Sequence, residues 1–113
     1  YACIAELYKL LAAIKKYPRL RLITERIRSN DKISLAILFG SFAKGNAGKE
    51  SDIDVYIDTV DRETRDEISD IDTKLSVKIG RYDTQSLLIK EIEKNHVIIK
   101  GVEEYYEKSK FFG

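Results

Sequence analysis

The chain has 113 residues, 43% of them hydrophobic and 35% charged, with 20 Lys/Arg against 19 Asp/Glu and a net charge of +1. That length holds one core and is too short for two, and the charge balance excludes a strongly basic nucleic-acid binder and a disordered acidic tail alike. The single cysteine, Cys3, excludes an internal disulfide and fits a reducing, cytoplasmic setting.

The first segment, "ACIAELYKLLAAIKK", sets Ile4, Leu7, Tyr8, Leu11 and Ile14 on one helical stripe, and Cys3 reads as a small buried hydrophobe on that helix. Pro18, the only proline, ends it and can open a second helix, "PRLRLITERIR", with Leu20, Leu22, Ile23 and Ile27 inward. "ISLAILFG" is a continuous apolar run closed by Gly40, the pattern of a strand buried on both faces. "AKGNAGKES" is a loop by composition. "SDIDVYID" alternates, so Ile53, Val55 and Ile57 face one way and Asp52, Asp54, Tyr56 and Asp58 the other.

A polar helix over "VDRETRDEISDI" follows, then a strand, "KLSVKIGRY", with Leu75, Val77 and Ile79 inward and Ser76 and Lys78 on the opposite face. "TQSLLIKEIEK" reads as a helix burying Leu87, Leu88 and Ile92, "HVIIKG" as a short strand and "VEEYYEKSKFF" as a closing helix. The order implies an α/β (α+β) domain whose mixed sheet of three to four strands is backed by helices on one side. No apolar run approaches the ~20 residues of a membrane span, and no signal-peptide pattern is present. The chain starts at Tyr1 and has no methionine, as expected of a piece of a longer protein.

Charge is unevenly spread. Residues 1–30 hold seven basic against two acidic residues, and residues 31–72 hold five against eleven. The acidic middle contains "LFGSFAKGNAGKESDIDVYID". Asp52 and Asp54, two apart on a strand, lie ~6.5–7 Å apart along the backbone on one face. Their oxygens suit Mg²⁺ or Mn²⁺, hard cations that also accept phosphate; without the cation the pair repels by roughly 1–4 kcal/mol. Gly40 allows a sharp turn and a close approach to the backbone. If "SFAKG" begins a helical turn, its free N–H groups point at an anion, with the Ser41 hydroxyl beside them. Lys44 either reaches a terminal phosphate or stays solvated, and Gly45 and Gly48 leave the returning loop free. A P-loop is disfavoured, since "GNAGKES" lacks the required spacing.

The run "GSFAKGNAGKESDID" resembles the GSx(10)DxD signature of the DNA polymerase β-type nucleotidyltransferase superfamily, and within it the prokaryotic minimal nucleotidyltransferases. The resemblance implies a polymerase β-like fold in which Gly40 and Ser41 hold the β/γ phosphates of a nucleoside triphosphate, ATP being the one expected, and Asp52 and Asp54 hold the metal and serve catalysis. It further implies transfer of a nucleoside monophosphate to a hydroxyl, with a HEPN-type partner protein (in toxin–antitoxin systems) or an upstream winged-helix domain as companions. Residues 1–30 would then be N-terminal helices linking to that upstream domain, their basic face solvated or laid along DNA backbone, and residues 31–113 the nucleotidyltransferase domain. One departure stands out. The family generally carries a third carboxylate on a neighbouring strand, where this chain offers Ser76 and Lys78. Asp58 lies ~13 Å further along its strand, Asp83 reaches the site only if the chain curls back, and Asp70 and Asp72 belong to a helix or its end. The alternative is therefore a catalytically impaired nucleotide-binding module, regulatory or antitoxin-like, acting through a partner. His96 and the aromatics Tyr105, Tyr106, Phe111 and Phe112 read as structural, and Tyr56 either stacks on a base or fills the sheet face.

Overall fold

The structure is a computed structural model that describes residues 2–112, with side chains described for residues 3–109. Six helices and four strands follow one another as α1 (Ala2–Lys16), α2 (Leu20–Arg28), β1 (Ala36–Phe39), α3 (Gly40–Lys44), β2 (Ile53–Asp58), α4 (Arg62–Ser69), β3 (Leu75–Gly80), α5 (Leu87–Lys94), β4 (Val97–Lys100) and α6 (Val102–Phe112). The strands form one sheet in the order β3-β2-β1-β4. β1 is antiparallel to both β2 and β4, whereas β2 and β3 are parallel. This is the mixed sheet expected, and α4 supplies the crossover that a parallel pair requires. Among the described residues no helix is long and apolar enough to cross a membrane.

Alternation along β1 and β2 divides the core in two. Ala36, Leu38, Ile53, Val55 and Ile57 meet Leu10, Leu20, Ile23, Ile27 and Ile68 on the face covered by α1, α2 and α4. Leu35, Ile37, Phe39 and Tyr56 meet Ile89, Ile92 and Tyr105 of α5 and α6 on the other. Helices therefore cover both faces, not the one side expected. The unbroken apolar run of β1 requires this, because a strand with apolar residues on both faces must be shielded twice, each buried Leu or Ile contributing about 1.5–3 kcal/mol.

Other departures follow from which helix face docks. α1 presents Leu10 and Ala13 to the core and turns Ile4, Leu7, Tyr8 and Leu11 to solvent, with Cys3 also exposed. Leu22 of α2 and Leu87 of α5 are exposed as well, while Ile89, which the sequence reading did not single out, is buried. Leu87 is the first residue of α5, directly after the Ser86 cap whose hydroxyl accepts from Leu88 N, and the packed stripe begins with Leu88 and Ile89. Phe111 and Phe112 lie outside the described side chains.

Candidate functional site

β1 ends at Phe39 in extended conformation, and Gly40 turns the chain into α3 with φ +71°. An L side chain is strained there, and it would also have no room. A Cβ at residue 40 would sit 3.2 Å from Asp54 Cγ and collide with Oδ2 of the same carboxylate. The cause is the ladder, in which Phe39 stands opposite Asp54 on β2. The bend and the second aspartate are thus immediate neighbours. Beyond the bend, the amides at the start of α3 have no intrahelical acceptor, and Ser41, the second residue of that helix, is half-buried. Lys44 is exposed and lines an open groove of about 660 Å³ with Lys90 and Lys94 of α5. A Cβ at Gly48 would meet nothing within 4 Å.

Asp52 is the exposed residue just before β2, and Asp54 is half-buried within it. Ile53 between them is fully buried on the α1/α2 side, so the period of two sends both carboxylates to the opposite side. Burial, and then the charge of Asp52, push the Asp54 carboxyl above its ordinary range; Lys78 pulls it back and Glu91 adds to the rise. Neither aspartate forms an ion pair among the described residues. Two unneutralised carboxylates beside a cramped glycine bend form an oxygen-only donor set that fits one hard divalent cation and leaves its other positions for ligand or water.

The remaining acids are engaged elsewhere. β3 places Ser76 in register with Asp54 and Lys78 with Tyr56, so the position nearest Asp54 on the neighbouring strand carries a hydroxyl. Asp58 bonds Lys108 at 3.1 Å and accepts from Tyr82 N, tying the end of β2 to α6. Asp83 accepts from Gln85 N within its own turn. Asp72 takes a two-pronged bond from Arg19 at 2.7 and 3.0 Å, and Asp70 is the exposed residue ending α4. Among the described residues no three His, Cys, Asp or Glu side chains converge on a metal-sized site.

Tyr56 is buried and donates its hydroxyl to Gly80 O at 2.8 Å, so it fills the sheet face. His96 and Tyr105 pack together with ring centroids 4.8 Å apart, as structural residues do. Sequence reasoning missed Glu91. Its proximity to Asp54 depends on how α5 lies across the sheet, which no local pattern encodes.

A second cavity, about 460 Å³, is walled by Tyr17, Phe42 and Lys49. Phe42 belongs to the core on the α1/α2 side, and Ser51 carries the rim of the cavity to the residue before Asp52. No curated protein matches the chain at a significant level. The family model described as "Polymerase beta, Nucleotidyltransferase" matches residues 22–110, from α2 into α6, and includes the whole of the bend, the loop and both aspartates. With most of its length matched and a mixed sheet to correspond, the chain belongs to the polymerase beta nucleotidyltransferase family.

Proposed function

We propose that this domain binds a nucleoside triphosphate, ATP first among candidates, at the Gly40 bend and transfers its nucleoside monophosphate to a hydroxyl of a protein or other acceptor. The observation that carries the reading is the abutment of Gly40 and Asp54, in which only glycine fits because the Asp54 carboxylate fills the place of a side chain, so the bend and a metal-ligating type of oxygen lie side by side. Ser41 and the free amides of α3 donate to phosphate oxygens, with Lys44 near enough in sequence to assist. Asp52 and Asp54 would hold Mg²⁺ or Mn²⁺, which when bound offsets the negative charge of the phosphates. In the transfer, the acceptor hydroxyl releases its proton to solvent, its oxygen bonds to the α-phosphorus while the bond from that phosphorus to the oxygen bridging to the β-phosphate breaks, and pyrophosphate leaves.

A second reading, a nucleotide-binding module acting through a partner such as a HEPN-type protein, is favoured by Ser76. It occupies the β3 position beside Asp54, and no other acid described here completes the pair.

Asp54→Asn tests both readings. Wild-type protein at an ATP–Mg²⁺ concentration 100 times its Kd should be stabilised by about 2.7 kcal/mol, and the variant should lose that shift together with transfer of label from α-³²P-ATP. The unliganded variant should be slightly more stable than wild type at pH 7, by about 0.5–1 kcal/mol, because it removes a charge that burial disfavours first and Asp52 repels second, less the attraction of Lys78. Wild-type protein that neither shifts nor labels would end the nucleotide reading. A shift without labelling of any acceptor selects the binding module.

A further inference from the structure

α1 has two apolar faces and buries only one. Opposite Leu10 and Ala13, the side chains of Ile4, Leu7, Tyr8 and Leu11 are 58%, 51%, 70% and 52% exposed. At 3.6 residues per turn the four fall within a stripe about 100° wide. No charge interrupts it, because Glu6 is buried on the other face and holds Lys9 at 3.1 Å. The stripe is also symmetric end to end. Reversal about the point between Leu7 and Tyr8 exchanges Ile4 with Leu11 and Leu7 with Tyr8.

We propose that this face packs antiparallel on the same face of a second copy of the chain, about a two-fold axis between residues 7 and 8. A two-fold interface must be self-complementary, and this pattern is. Charge selects the antiparallel sense. Lys15, exposed at the end of the stripe, would face its own copy in a parallel pair. In the antiparallel pair the two ammonium groups stand about 22 Å apart, at 1.5 Å rise per residue, well beyond the ~8 Å screening length at physiological salt. The four side chains together offer about 400 Å² per protomer, and the exposed Cys3, Ala5 and Ala12 widen the patch. With those residues the total over both protomers reaches about 1,000 Å², the threshold for a specific interface, so a weak dimer that forms with rising concentration is expected.

Sedimentation equilibrium of the chain over about 5–500 µM tests the association. Wild type should pass from monomer to dimer across that range, and Leu7→Glu/Leu11→Glu should remain monomeric with an unchanged circular dichroism spectrum, since both positions are exposed. Two cysteine variants, each in a Cys3→Ser background, then test the register. Tyr8→Cys sits beside its own copy across the axis and should form a disulfide dimer under mild oxidation. Ile4→Cys lies about 10 Å from its copy by helical rise and should not. A wild-type monomer at 500 µM overturns the proposal, as does a dimer that the Glu pair leaves intact or one that cross-links through Ile4→Cys and not through Tyr8→Cys.

Discussion

At Gly40 a backbone requirement and a space requirement coincide. The φ of +71° alone would cost an alanine about 1–2 kcal/mol, and the added carbon would also displace the Asp54 carboxylate. Gly40→Ala is therefore expected to lower stability by about 1–2 kcal/mol and to weaken ATP–Mn²⁺ binding at least tenfold, read by calorimetry on protein that is still folded. Gly48→Ala is the control, because its Cβ would stand in open space at an ordinary φ, and affinity should not change. Equal losses in the two variants would mean that loop flexibility, not contact with Asp54, is what the bend supplies. Tyr56 illustrates the opposite situation. It shares the aspartates' face, yet its hydroxyl is satisfied by Gly80 O and burial holds its pKa far above the ordinary phenol range, so it stays neutral and supports the sheet.

Among the elements, β3 decides how complete the site is. Parallel pairing sets Ser76 level with Asp54, and a carboxylate there would make three. Ser76→Asp is expected to raise Mn²⁺ stoichiometry in the presence of a non-hydrolysable nucleotide from one ion per chain to two, counted by electron paramagnetic resonance. A count that stays at one would show that Lys78, two residues along the same face, opposes a second cation more strongly than the new acid attracts it. Strands were the most legible part of the sequence. Period-two alternation assigned every face of β2 and β3, and the apolar run of β1 announced burial on both sides. The bend and the DxD pair were legible for the same reason, because glycine after a buried strand and like charges two apart each need a physical cause. Helix faces were harder to read. α1 is apolar around most of its circumference, so periodicity found the Ile4–Leu11 stripe but could not tell which face the core would take. The docked face instead carries Leu10, Ala13 and an acid, Glu6, whose carboxylate accepts from Tyr106 OH at 2.9 Å, a contact across a hundred positions of chain. Placement of α5, and with it Glu91, is likewise tertiary.

On the scale of the whole molecule, that same acid belongs to a buried polar cluster joining the first and last elements. Glu6 of α1, His96 just before β4, and Tyr105 and Tyr106 of α6 come together, with Lys9 at the margin. His96 Nδ1 lies 3.2 Å from Ile92 O and 3.5 Å from the Tyr105 hydroxyl, and Nε2 lies 3.7 Å from Glu6 Oε1. Nε2 has no hydrogen-bond partner among the described residues, while Oε1 is held by the Lys9 ammonium at 3.1 Å. Burial lowers the His96 pKa below its ordinary value and Lys9 lowers it further, against the pull of Glu6. Tyr105 is pushed up to about 12, by burial first and then by neighbouring acids, so it does not titrate in the same range. Since the unfolded chain takes up the proton more readily, the contribution of neutral His96 is fully present above pH ~6.5 and is lost as pH falls through the lowered folded value. Urea denaturation between pH 8 and pH 5 should accordingly show stability falling on acidification, with this residue's share bounded at about 1.4 kcal/mol per pH unit. His96→Gln should flatten the profile in that window, and Glu6→Gln should steepen it, because removing the one attractive charge leaves burial and Lys9 opposed only by the backbone hydrogen bonds to Ile92 and Glu93. A Glu6→Gln profile no steeper than wild type would show that the Glu6 carboxylate does not support a charge on His96 in the folded protein.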